Sequence, residues 1–188
     1  MPFWTDHVGK DPKRNYRFLV NLGNLPNGAS WYAKKMSKPS FKVTESKHSY
    51  LNHNFYYPGR VEWDTVTVTL VDPVDPDAVK ATMQLIQASG YKPPGTFADT
   101  TTIAKSTALT SLGRVECTVI DSQGNDLENW VLEGAFITDV KFSELSYEDD
   151  NLQEITLTFR YDWAVLNDRT FKKGPNIDAQ VVAVDAGI

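Results

Sequence analysis

Apolar and polar residues alternate with a period of two along several stretches of the chain. That period marks a strand with one face buried and one face wet. It predicts strands over 16–22, over 30–36 beyond a turn at 23–28, and from 41 to 45. Residues 63–70 give the cleanest early case, with Val66, Val68 and Leu70 on one side and Thr65, Thr67 and Thr69 on the other. Threonine suits a pleated surface that still meets water. The second half reads as a meander: a strand at 115–120, a hairpin turn at 121–126 with Gly124 in place, a return at 127–137 and a strand at 140–146. An acidic turn at 147–151 then leads to the strongest strand, 154–163. Ile155, Leu157, Phe159, Tyr161 and Trp163 share one of its faces, and Glu154, Thr156, Thr158, Arg160 and Asp162 share the other.

The period changes to that of a helix once with clear boundaries. Asp75 is the expected cap, Pro76 fits the first helical position and Asp77 complements the dipole. Val79, Met83 and Ile86, with Ala78, Thr82 and Leu85, form one apolar face, and Gly90 followed by Pro93-Pro94 ends the helix. Residues 98–112 are ambiguous: the threonines resist a helix, while Ile103, Thr107 and Leu109-Thr110 allow a short one. Strands, one helix and more strands predict a mainly β fold, an antiparallel β-sandwich or barrel with one flanking α-helix.

Some segments fall outside that plan. Residues 46–60 are long for a connection between strands and rich in aromatics and amides, and Phe55-Tyr56-Tyr57 is too apolar to rest in water without cover. The domain is expected over 14–166 with a long hairpin at 46–60, and with an arm at 1–13 and another at 167–188 that dock onto neighbouring subunits.

Charge sharpens this picture. Residues 1–60 carry a net +7, residues 61–113 a net −3 and residues 114–162 a net −9, while the whole chain carries −5. An acidic total argues against a nucleic-acid-binding domain, and the asymmetry fits two electrostatically complementary faces. At 188 residues the chain is long enough for one domain with its own core, at roughly 150 residues per domain. A single cysteine, Cys117, rules out an internal disulfide. The start of the sequence has no apolar signal-peptide core, and no apolar run reaches the ~20 residues of a membrane helix, so no membrane segment is expected.

Candidate chemistry is sparse. His7, His48 and His53 are the only histidines, and no HExxH, CxxC, G-x-S-x-G or glycine-rich phosphate loop is present. We expect no catalytic residues, no metal and no cofactor. Cys117 lies on the apolar side of its strand and reads as a small buried hydrophobe. Glu148, Asp149 and Asp150 read as a solvated turn, because calcium needs six or more oxygens from spaced positions. Trp63 and Trp163 are expected in the core, whereas Trp4 and Trp31 suit an interface or a sugar platform.

The order of these pieces carries a resemblance. An early strand pair and a long polar-aromatic hairpin precede Trp63-Asp64-Thr65-Val66-Thr67-Val68, and a helix follows. Near the end come Leu132-Glu133-Gly134-Ala135-Phe136, Val140-Lys141-Phe142, the Tyr147-Glu148-Asp149-Asp150-Asn151 turn and Glu154-Ile155-Thr156-Leu157-Thr158-Phe159-Arg160-Tyr161-Asp162-Trp163. Over about residues 14–166 this resembles the tail tube proteins of contractile-tailed bacteriophages, whose fold is shared with type VI secretion and bacteriocin tube proteins. The resemblance implies stacked hexameric rings, sheets joined between subunits into a tube, and a lumen that conducts DNA without binding it specifically. The implied partners are other copies of the chain, the sheath, baseplate-hub and tail-terminator proteins, and the tape measure protein. The implied location is the virion tail, assembled in the host cytoplasm.

Within that frame Tyr50, Leu51, Asn52, His53, Asn54, Phe55, Tyr56, Tyr57 and Arg60 are the candidates for ring stacking. Thr65, Thr67, Thr69, Glu154, Thr156 and Thr158 are the candidates for the lumen face. Three other readings compete: a tube of a secretion or bacteriocin particle, a terminator or hub with the same fold, and a monomeric carbohydrate-binding sandwich. An enzyme with an unrecognised acid pair would need a pocket that splits two carboxylate pKa values.

Overall fold

The computed structural model describes residues 12–25, 32–75, 77–92, 95, 102–148 and 150–167. Trp4, His7, Trp31, Pro76, Pro93, Pro94, Asp149, the end of the turn at 26–28 and most of both expected arms lie outside the described residues. In chain order the strands are β1 (Phe18–Leu22), β2 (Ala33–Met36), β3 (Phe41–Tyr50), β4 (His53–Trp63), β5 (Val66–Val71), β6 (Val115–Ile120), β7 (Asp126–Glu133), β8 (Phe136–Phe142), β9 (Glu154–Arg160) and β10 (Trp163–Asn167). Helices α1 (Ala78–Ala88) and α2 (Lys105–Leu112) lie between β5 and β6.

The alternating stretches fold as expected into antiparallel sheets. One has the order β1-β6-β7-β10, a second has β2-β5-β9-β8, and β3 and β4 pair only with each other. The two four-stranded sheets enclose the core. Val20, Leu22, Val115 and Leu132 come from the first; Val66, Val68, Leu70, Ile155, Leu157 and Phe159 come from the second. All are buried. Each such side chain contributes about 1.5–3 kcal/mol when removed from water.

Two expected strands prove to be two strands each, because the chain changes sheets inside them. The stretch predicted as 127–137 breaks at Gly134, where β7 leaves the first sheet and β8 enters the second. The stretch predicted as 154–163 breaks at Tyr161-Asp162, where β9 leaves the second sheet and β10 enters the first. These corners pack together. The Asp162 N–H donates to the Glu133 carbonyl at 2.9 Å, and Lys105 Nζ donates to the Asp162 carboxylate at 2.6 and 2.8 Å. Gly134 has φ +68°, and a Cβ there would sit 2.2 Å from Asp162 Oδ2, so only glycine fits without strain. Alternation restarts after the corner, so Trp163 is half exposed instead of lining the core.

Other boundaries shift for local reasons. Asp77, not Asp75, caps α1: its side chain accepts from Lys80 N at 2.8 Å, and Asp72 Oδ1 accepts from Ala78 N at 3.0 Å. The buried side of α1 is Thr82 and Leu85, while Met83 faces water, and the helix ends at Ser89-Gly90 as predicted. The ambiguous stretch contains a second helix, α2, which buries Ala108 and Leu112. The Asn24 side-chain amide closes its end by donating to the Thr110 and Ser111 carbonyls at 3.1 and 3.0 Å. Strand β8 ends at Phe142, short of the predicted 146, and the described residues 143–148 and 150–153 that follow are irregular. The turn at 121–126 forms as expected, with Asp121 accepting from the Gln123 and Asn125 N–H groups at 2.7 and 2.9 Å.

Candidate assembly surfaces

The hairpin expected at 46–60 is present and longer than expected: its arms are the strands β3 and β4, from Phe41 to Trp63, closed by a two-residue turn, Leu51-Asn52, with Leu51 at φ +52°. The hairpin prolongs the β2–β5 pair, through Ser37 N to the Thr67 carbonyl (3.0 Å) and Asp64 N to the Ser40 carbonyl (2.8 Å). Ten-residue arms at about 3.3 Å per residue reach roughly 30 Å. Every residue from Phe41 to Glu62 is exposed, and only Trp63 is half buried.

The base of the hairpin is tied to the core by an aromatic chain. The Phe41 and Trp63 rings lie 5.0 Å apart, and the Trp63 and Tyr161 rings 5.8 Å apart. Ser40 Oγ donates to Asp64 at 3.1 Å and Lys42 Nζ lies 3.3 Å from it. The Lys42 ammonium and the Ser40 hydroxyl hold the Asp64 carboxyl below its ordinary value.

Midway along, β4 bulges. Thr44 faces both Gly59 and Arg60; its Oγ1 accepts from Arg60 N at 2.8 Å and donates to the Arg60 carbonyl at 3.1 Å. A Cβ on Gly59 would lie 2.4 Å from that hydroxyl and 2.9 Å from the Thr44 carbonyl oxygen. Beyond the bulge the register places eight of the nine stacking candidates on two faces and a tip. Tyr57 pairs with Ser46, Phe55 with His48 and His53 with Tyr50, all on one face. Tyr56 pairs with Lys47 and Asn54 with Ser49 on the other, and Ser49 Oγ donates to Asn54 Oδ1 at 2.9 Å. Leu51 and Asn52 form the tip, and Arg60 sits in the bulge.

The lumen candidates mostly form one surface. Thr69 pairs with Thr156 and Thr67 with Thr158 on the outer face of the second sheet, and the Thr69 and Thr156 hydroxyls are 3.4 Å apart. Thr65 is exposed but lies in the link between β4 and β5, outside the ladder. Glu154 closes the ladder at the Val71 end and is ion-paired with Lys34. Register adds three residues that alternation alone did not single out: Lys35 opposite Thr69, and Lys141 and Asp139 opposite Thr156 and Thr158. Lys141 and Asp139 approach to 3.5 Å. The face is therefore hydroxylic, with charges of both signs at its edges.

Two further surfaces went unread in sequence. A groove opens where β1 meets β2, with Phe18, Met36, Cys117 and Val119 among its apolar lining. Lys13 and Lys38 border it and pair with Glu128, Lys38 at 2.7 Å. Those ammoniums hold the Glu128 carboxyl at about 2, against an ordinary 4.5. Burial pushes the Cys117 thiol up, in keeping with a small core hydrophobe. The second surface is the segment 143–153, where Leu145, Tyr147 and Leu152 are largely exposed. Among the described residues no group of three His, Cys, Asp or Glu side chains is placed to hold a metal, and no helix is long and apolar enough to cross a membrane.

This fold, a β-sandwich whose β2–β5 pair runs out into a long bare hairpin, is shared with components of contractile injection systems. Structural comparison finds it in a chain of the extracellular contractile injection system PVC sheath/tube terminator, with TM-score 0.63 and 13% identity over 85% of this chain and 99% of that one. The cap structure of the anti-feeding prophage, a tube-terminating cap, gives TM-score 0.61 and 17% identity over 89% and 99% of the two chains. The six-fold symmetrised baseplate of the same particle gives 0.60 and 16% over 85% and 97%. No protein-family profile and no curated protein sequence matches the chain.

Proposed function

We propose that this chain is a structural subunit of a phage tail tube, built as hexameric rings that stack around a DNA-conducting lumen. The observation that carries this reading is the hairpin: a protrusion of roughly 30 Å that leaves Phe55, Tyr56 and Tyr57 half exposed. Such a device gains its cover from another subunit, and a heterologous contact of this kind propagates into rings and filaments. The threonine ladder suits a lumen wall, because it offers DNA hydroxyls and few cations to hold phosphate. Joining sheet edges between subunits would remove the free edges of β8 and β10. The arms at 1–13 and 167–188 would reach neighbouring subunits, and sheath, baseplate, terminator and tape measure proteins would be the other partners. Ring stacking is assigned to Tyr50–Tyr57 and Arg60, and the lumen face to Thr67, Thr69, Thr156 and Thr158.

A second reading is a tube or tube-end subunit of a phage-like injection particle, favoured by the cap and terminator chains that share the fold. In both readings the chain is structural and has no catalytic role. Negative-stain electron microscopy over a concentration series tests the shared part. Hollow tubes of uniform width support a tube subunit, single closed rings that never stack favour a terminator, and a monomer at every concentration contradicts both.

A further inference from the structure

We infer that the β1–β2 groove is a socket for the 143–153 segment of a second copy of this chain, an inference that rests on the assembly reading. The two surfaces match in both apolar and charged character. The socket has Phe18, Met36 and Val119 in its lining, and Lys13, Arg14 and Lys35 stand at its border. Lys35 has no ion pair among the described residues and is exposed. The segment offers the reverse arrangement. Leu145 and Leu152 are 78% and 72% exposed and Tyr147 is fully exposed, a concentration of bare apolar surface that water does not favour. Glu144, Glu148 and Asp150 flank them, all exposed and all without an ion pair among the described residues.

Position makes the contact heterologous. The socket lies at the edge formed by β1 and β2, the first strands in the order of each sheet. The segment is a different surface: it leaves β8, returns to β9 and lines a cavity of its own with Lys34, a residue that also borders the socket. A subunit whose plug and socket are two different surfaces joins its neighbours head to tail, and a ring closes if the rotation allows. This gives the net +7 and −9 blocks of the sequence a shared purpose: the first supplies the cations of the socket and the second supplies the plug. The hairpin is left for contacts along the tube.

Charge exchange in the full-length chain tests the pairing. The plug variant is Glu144→Lys with Glu148→Lys, and the socket variant is Arg14→Glu with Lys35→Glu. Thermal unfolding by circular dichroism confirms that each folds. Sedimentation velocity then reads assembly for wild type, each variant, and an equimolar mixture. Each variant alone is expected to need at least tenfold more protein to assemble. The mixture is expected to recover wild-type assembly, because each plug then meets a socket of opposite sign and an even-numbered ring alternates without a fault. Leu145→Ser with Tyr147→Ser, which leaves the charges untouched, is expected to weaken assembly in the same direction. Variants that assemble like wild type, or loss that mixing does not restore, would overturn the socket while leaving the tube reading standing. A wild-type chain that never assembles would overturn both.

Discussion

The sandwich and the hairpin are both antiparallel β structure, yet they are built on opposite terms. In the sandwich, alternate residues vanish from solvent: Val66, Val68, Leu157 and Phe159 are each 0% exposed. In the hairpin neither face is buried, and paired side chains such as His48 and Phe55 both face water. An isolated two-stranded ribbon is marginal by itself, so this one depends on its base, where Phe41, Trp63 and Tyr161 stack. On the proposed function the difference separates stability from assembly: the core holds the subunit together, and the exposed hairpin presents its side chains to another molecule.

The sharpest way to break that division is to strike the core. Phe159→Ala should cost about 3–5 kcal/mol in urea unfolding, through lost burial and the cavity left behind. Gly134→Ala should cost about 1–3 kcal/mol, because it combines a left-handed backbone with a clash against Asp162. Acid should act next. The folded-state carboxyl of Glu128 sits at about 2, below its ordinary 4.5. Its contribution is therefore complete above about pH 5 and is lost as pH falls toward 2. A loss of about 1–2 kcal/mol over that window is expected, and Glu128→Gln should flatten the pH dependence. The smallest effect on folding belongs to the hairpin: Tyr56→Ser and Tyr57→Ser should each change monomer stability by less than about 0.5 kcal/mol.

Much of this was legible in the chain. Buried, half-wet strands declare themselves, so β5, β6 and β9 appear with their inward faces correct, and the four ladder threonines fall on one surface. Places where a strand continues in spacing but changes partner do not declare themselves. Alternation runs through Tyr161-Asp162 and into Trp163, and only the second sheet's geometry shows the turn. The glycine at 134 was the available signal for the companion corner. The long hairpin was legible through the order of the pieces, but the strand character and full length of its arms were not: with no buried face, Ser46–Arg60 has no alternation to read. The socket and plug were invisible as units because Lys13, Arg14, Lys35 and Val119 meet only through topology. What the sequence did carry was their opposite charge.

Tyr56 and Tyr57 lie on opposite faces of the hairpin, so a single variant at each asks which face stacks, and the double variant asks whether the hairpin stacks at all. The most direct test of the account is therefore Tyr56→Ser with Tyr57→Ser, with the melting temperature and the electron micrographs read from the same preparation. An unchanged melting temperature with shortened or absent tubes is the predicted result. Tubes as long as those of the wild-type chain, from protein equally well folded, would contradict it.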